Sequence, residues 1–303
     1  MVTAMVTPFD DDGSLDLPGA ADLARWLADH GSEALVVAGT TGEGPVLSEA
    51  EVTDLWRAVA EAVTIPVIAG TGTNDTRHSI DLSRAAAEAG ADALLVVTPY
   101  YSRPSQAGLV DHFTAVAAAT ELPVLLYDIP IRCGRKIAHD TFLHLVATVG
   151  NLVGVKDAAG DVTAAARLVA ETPTSFELYS GDDPLTLPLL AVGGVGIISV
   201  ASHWVGLEMA EMVAAFLKGD VDGARATNAC LLDSYAFEST EAYPNPLPAK
   251  AVCRALGLAV GQCRLPMGPG TPELDAGARR LLEALGRPFT EAADPARTRS
   301  PLG

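Results

Sequence analysis

The chain lacks the marks of several large functional classes. It carries only 20 Lys and Arg against 38 Asp and Glu, a net charge of −18. No basic cluster interrupts that balance. Nucleic-acid binding draws on clustered cations that release counterions, so DNA and RNA are not expected partners. The acidity serves solubility instead. Cysteine is sparse: Cys133, Cys230, Cys253 and Cys263 are scattered with no CxxC pair, which argues against a disulfide framework or a zinc site. The six histidines are dispersed, and no metal is expected. No secretory leader and no apolar run of bilayer length is present. The expectation is a cytoplasmic protein with no membrane partner. Strand signal begins almost at Met1, so the chain's start is expected to lack a residue or two.

Aromatics make up only 5% of residues, whereas 49% are hydrophobic. A mix dominated by Ala, Val, Leu and Gly suits parallel strands buried on both faces and close-packed helices. Eight short apolar runs recur, each followed by a helix-like segment: Ala4–Val6, Leu35–Ala38, Val67–Ala69, Ala93–Val97, Val124–Tyr127, Leu152–Lys156, Phe176–Tyr179 and Gly196–Val200. Such alternation predicts a parallel sheet, and eight units predict a closed (β/α)8 barrel of the TIM type. The rival is an open doubly wound sheet, which usually shows a glycine-rich turn after its first strand. Here that strand runs into Thr7-Pro8-Phe9, so the barrel is preferred.

The barrel is assigned to residues 1–205. A C-terminal helical extension follows over 206–286, with helices predicted at 207–230, 232–241, 247–257 and around 272–285. The tail 287–303, rich in Pro, Ala, Thr and Arg, is expected to be disordered. Ser48 and Glu51 form a capping box at one helix start.

Active sites of such barrels sit at the C-terminal strand ends. Those ends read Gly39-Thr40-Thr41-Gly42-Glu43, Thr98-Pro99-Tyr100-Tyr101, Tyr127-Asp128-Ile129-Pro130-Ile131-Arg132, Lys156-Asp157 and Ser180-Gly181-Asp182-Asp183. Hydroxyls, one lysine and one arginine therefore converge on one mouth. Lys156 is one of four lysines and ends an apolar strand. Burial disfavours an ammonium and lowers its pKa, which yields an amine able to condense with a ketone. A lysine paired with Asp157 is the competing reading. Tyr127 ends the adjacent strand and can shuttle a proton through hydroxyls such as Thr40 and Tyr101, or be a half-buried phenol with its OH satisfied. The Gly39–Gly42 turn offers N–H groups and hydroxyls to a small carboxylate. The planar fork of Arg132 suits a second carboxylate, against a surface salt bridge. Asp182 and Asp183 read as caps of the helix that begins at Pro184, with Asp183 at N-cap. Cys133 adjoins Arg132 at the mouth.

Taken together, these segments resemble the pyruvate-dependent class I aldolase superfamily, which includes N-acetylneuraminate lyase and the dihydrodipicolinate synthase family. The synthase pattern is the nearer one. Gly39–Glu43, Val155-Lys156-Asp157, Thr98–Gln106, Tyr127–Arg132, Ser180–Asp183, Gly196–Val200, Pro244–Lys250 and Arg264-Leu265-Pro266 carry the resemblance. It implies that Lys156 forms an imine with pyruvate and that Tyr127 is proton donor and acceptor, with Thr40 and Tyr101 completing the relay. Tyr101 would reach a neighbouring subunit's site, in a homotetramer built as a dimer of dimers. Thr41, Gly181 and the backbone of Ile198 would hold pyruvate. Arg132 would bind the carboxylate of L-aspartate 4-semialdehyde, giving 4-hydroxy-tetrahydrodipicolinate for diaminopimelate and lysine synthesis. No cofactor is implied beyond the covalent imine.

The chain departs from the family pattern in two respects: Cys133 stands where Thr or Ser is usual, and the lysine-binding positions carry His78 where lysine-inhibited members have an acid, with Glu49 and Val52 where they have histidines. Weak or absent inhibition by L-lysine follows. The alternatives are a lyase or dehydratase acting on a 2-keto-3-deoxy sugar acid or N-acetylneuraminate, and a catalytically silent binding barrel. Arg132 argues against the first, and the retention of Lys156, Tyr127 and Thr40 against the second.

Overall fold

The computed structural model describes residues 1–289. Its eight strands are β1 (Val2–Ala4), β2 (Ala34–Val37), β3 (Val67–Gly70), β4 (Ala93–Val97), β5 (Val124–Asp128), β6 (Leu152–Asp157), β7 (Glu177–Ser180) and β8 (Gly196–Ser199). They close in sequence order, each parallel to the next, with β8 returning to β1. The helices between them are α1 (Leu17–Asp29), α2 (Glu49–Ala62), α3 (Thr76–Glu88), α4 (Gln106–Ala117), α5 (Pro130–Cys133), α6 (His139–Thr148), α7 (Val162–Glu171) and α8 (Thr186–Ala191). The extension adds α9 (Ser202–Leu217), α10 (Val221–Glu238), α11 (Leu247–Ala255) and α12 (Pro272–Ala284). The predicted (β/α)8 barrel with its C-terminal helices is the observed fold.

Alternation along each strand sorts the core into two bodies. Val2, Val36, Ile68, Leu95, Leu125, Tyr127 and Ile198 fill the barrel. Leu35, Val37, Leu94, Val96, Leu126, Val155 and Ile197 face the helix ring, where Leu27, Leu55, Trp56, Leu109 and Leu145 meet them. Burying each such side chain is worth roughly 1.5–3 kcal/mol. Helix starts follow local chemistry. Ser48 and Glu51 form the predicted capping box on α2, and Asp75, Ser105 and Asp161 accept backbone N–H bonds at the starts of α3, α4 and α7.

The structure differs from the sequence reading in three places. β1 occupies Val2–Ala4 rather than Ala4–Val6, because the ladder ends once the Val6 N–H donates to His203 Nε2 at 3.1 Å. The long helix expected at 207–230 breaks at Lys218–Asp220. Gly219 takes φ +87°, and Asp220 caps α10 by accepting from Gly223 N at 2.9 Å. The apolar periodicity runs through that point, but the left-handed residue and the new cap stop the helix. Asp183 does not cap its own helix, as described below. Of the tail expected to be disordered, 290–303 lie outside the described residues, and the Arg287 guanidinium pairs with Glu208. Among the described residues no helix is long and apolar enough to cross a membrane.

Candidate active site

β6 delivers Lys156 to the barrel mouth. In register it lies beside Tyr127 of β5 and Tyr179 of β7. The residue is 4% exposed, and its Nζ stands 4.5 Å from the Tyr127 ring centroid. Burial lowers its pKa from 10.5 to about 8; the Asp183 carboxylate opposes that change and the Arg132 guanidinium adds to it. An amine with that pKa is neutral in about one molecule in ten at pH 7, against about one in 10³ for a free lysine. It is both buried and nucleophilic.

Tyr127 is 5% exposed. Burial pushes its phenol above the ordinary range, while Arg132 and a hydrogen bond with the Thr40 side chain pull it down. Thr40 belongs to a turn after β2 that is held in a demanding conformation. Ala38 and Glu43 flank it with φ of +57° and +56°, a region that non-glycine residues adopt only under constraint. The turn closes through Glu43 N to Thr40 O at 3.1 Å and Gly44 N to Gly39 O at 3.1 Å. Thr41 Oγ1 accepts from Asn245 Nδ2 at 2.9 Å.

Gly181 packs directly on the lysine. Its N–H donates to Asp157 O at 2.7 Å, and a Cβ there would lie 2.9 Å from Lys156 Cγ, so a larger residue would displace the reactive side chain. Asp183 corrects the sequence reading. Rather than capping the helix that starts at Pro184, its buried carboxylate accepts from Ser199 Oγ at 2.7 Å and Ala201 N at 2.8 Å. It thereby ties β7 to the turn that follows β8. Beside it lies Glu238, the last residue of α10, whose carboxyl is pushed well above the usual carboxylate range by burial and by the Asp183 charge.

These groups line one cavity of about 340 Å³, bordered by Thr40, Thr41, Tyr127, Arg132, Lys156 and Gly181 and closed by Asp182, Glu238 and Asn245. Six of the eight residues singled out from the sequence therefore meet. The other two do not line it. Ile198 is 1% exposed inside the barrel, and Tyr101 is 91% exposed with φ +71°. Arg132 sits on α5, with its Nη2 3.4 Å from Asn245 O. A second cavity of about 340 Å³ lies on the other side of Thr40, Tyr127 and Arg132, and Glu49, Asn74, His78 and Tyr100 line it. Among the described residues no cluster of His, Cys, Asp and Glu could hold a metal ion.

Sequence reasoning assigned no role to Asn245 or Glu238. For Asn245 the Pro244-Asn245-Pro246 motif was a usable signal. Glu238 had none: it falls inside the predicted helix 232–241, where nothing in the local pattern sets it apart. A buried amine beside a phenol–threonine pair, with one arginine across the cavity, can form an imine with a ketone and relay protons to it.

Comparison with known proteins places the chain among relatives of one family. The model of the dihydrodipicolinate synthetase family matches residues 1–285. The 4-hydroxy-tetrahydrodipicolinate synthase of Moorella thermoacetica is 52% identical over 275 residues, covering 90% of this chain and 93% of that protein. The enzyme of the same name from Acidothermus cellulolyticus is 49% identical over 302 residues, covering 99% and 96%. A crystal structure of the dihydrodipicolinate synthase from Cyanidioschyzon merolae, with lysine bound, superposes with a TM-score of 0.91 at 40% identity, covering 94% of this chain and 97% of that one.

Proposed function

The chain belongs to the dihydrodipicolinate synthetase family, and from that premise we propose that it condenses pyruvate with L-aspartate 4-semialdehyde to give 4-hydroxy-tetrahydrodipicolinate. The product feeds diaminopimelate and lysine synthesis. The observation that carries the reading is Lys156, a buried amine whose pKa falls to about 8 beside Tyr127.

Neutral Lys156 attacks the keto carbon of pyruvate. The carbinolamine loses its oxygen as water, with Tyr127 supplying the proton and Thr40 passing protons onward. The resulting cationic imine is the electron sink, so the reading asks for no cofactor or metal. Loss of a methyl proton to Tyr127 gives an enamine, which attacks the aldehyde carbon of the second substrate, and the new alkoxide takes a proton back through the same relay. The substrate amine then adds to the imine carbon, closes the ring and releases Lys156. In this reading Thr41 and Gly181, which border the cavity beside Lys156, hold the pyruvate carboxylate. Arg132 faces the carboxylate of the semialdehyde as a charge-assisted partner.

Tyr101 enters this scheme only if a second copy presents it, because in one chain it is exposed. We place it in the neighbouring subunit's relay, within a homotetramer in the cytoplasm. Mixing inactive Tyr101→Ala and Lys156→Ala chains tests that placement: recovered activity supports it, and none contradicts it.

The decisive assay for the function couples pyruvate and L-aspartate 4-semialdehyde consumption, run beside 2-keto-3-deoxy sugar acids and N-acetylneuraminate. Turnover of the semialdehyde alone is the expected result. Preferential cleavage of a sugar acid would overturn the assignment.

A further inference from the structure

The barrel holds a second buried lysine. Lys250 Nζ lies 2.8 Å from Glu43 Oε1, with side chains 0% and 3% exposed. It also donates to Gln262 O at 2.9 Å and stands 4.2 Å from the Phe9 ring centroid. The other Glu43 oxygen accepts from Arg264 N at 2.9 Å. The Arg264 guanidinium spreads over the same ring at 4.3 Å and pairs with Glu51 at the start of α2. Segments from both ends of the chain thus converge on one carboxylate.

That carboxylate belongs to the residue closing the Thr40 turn. Glu43 takes a left-handed φ of +56°, and its N–H holds Thr40 O. The segment bearing Lys250 also supplies Asn245, whose amide holds Thr41. It therefore grips the turn at two points, Thr41 and Glu43. A buried ion pair rarely adds stability over apolar residues of similar volume; what it adds is one defined geometry. Here that geometry is the setting of two active-site threonines.

We propose that the Glu43–Lys250 ion pair is a positioning device for the reaction, fixing the turn that sets the Thr40 hydroxyl against Tyr127. The inference rests on the roles given above to Lys156 and Tyr127, and neither Glu43 nor Lys250 lines the cavity that holds them. Without the pair the turn relaxes from its left-handed conformation, Thr40 withdraws, and proton relay slows while the Lys156 amine is unaffected.

The test is a cycle of Glu43→Gln/Lys250→Met, Thr40→Val and the combined triple variant. Removing both charges avoids leaving one buried and unpaired. Three quantities are read: thermal midpoint, pyruvate trapped on Lys156 by borohydride, and the rate at which solvent deuterium enters the pyruvate methyl group. The double variant is expected to fold and, given long incubation, to trap pyruvate to the parent's extent, but to exchange deuterium more slowly by on the order of 100-fold. The triple variant is expected to be no slower than Thr40→Val alone, because both changes act through the same hydroxyl. A double variant that exchanges at the parent rate overturns the proposal. So does a triple variant whose loss is the product of the two. If the double variant fails to fold, Glu43→Gln, which keeps an acceptor for Arg264 N, enters the same cycle and the same two outcomes decide. The parent enzyme checks the underlying reading separately: no trapped pyruvate there would overturn the imine itself and the proposal with it.

Discussion

Replacing Lys156 with Met exchanges a buried amine for an apolar chain of similar length, and the structure predicts a more stable, inactive protein. The fall of the Lys156 pKa from 10.5 to about 8 corresponds to about 3 kcal/mol, at roughly 1.4 kcal/mol per factor of ten. The folded-state pKa lies below the unfolded one. The folded state therefore carries the full penalty below about pH 8, and it disappears as pH rises past about 10.5, where the unfolded state is neutral too. Lys156→Met is expected to exceed the parent by about 3 kcal/mol at pH 7, a margin that narrows steadily as pH rises from 8 to 10.5. Urea unfolding of both proteins at pH 7 and pH 9.5 measures it, at one protein concentration so that any self-association contributes equally to both. A variant less stable than the parent at pH 7, or a margin equal at both pH values, would refute a desolvated ammonium at this position.

The remaining predictions concern activity. The kcat/KM for pyruvate should rise with pH and level off above about 8, since only neutral Lys156 attacks; an acid limb near pH 6 instead would transfer control to another group. Arg132→Ala should lower kcat/KM for L-aspartate 4-semialdehyde by about 2–4 kcal/mol while leaving imine formation nearly intact, because it removes one charge-assisted contact to the second substrate only; equal loss for both substrates would make Arg132 a general shaper of the site. L-Lysine should inhibit weakly or not at all. The cavity beyond Tyr127 presents His78, which cannot pair with an ammonium, and Glu49 Oε1 already lies 3.3 Å from His78 Nε2. Half-inhibition below millimolar lysine in an initial-rate titration would show that Glu49 binds it regardless.

The barrel was legible because each β/α unit repeats a local pattern: a short apolar run, a polar turn, an amphipathic helix. The candidate site was legible for a related reason. The fold rule that chemistry gathers at strand ends turned eight local patterns into one mouth, and Lys156 stood out as a charge at the end of an apolar strand. What escaped was set by contacts across the closed chain. The Asn245 amide that holds Thr41 comes from 204 residues away, and Arg264 N reaches Glu43 across 221. A local window can mark such a residue by its motif, as Pro244-Asn245-Pro246 does, but not by what it touches. Asp183 misled for the same reason: Asp before Pro is a sound helix-cap pattern, but closing β8 beside β7 offered its carboxylate the Ser199 hydroxyl and the Ala201 N–H instead. The break before α10 has a local cause instead: Gly219 takes a left-handed φ and Asp220 caps the next helix.

The central claim is that Lys156 carries the substrate as an imine. Incubating the protein with pyruvate, reducing with borohydride and mapping the modified peptide tests it most directly. One reduced pyruvate per chain on Lys156 is the predicted result. Label on Lys136 or Lys250, or no label at all, would contradict it.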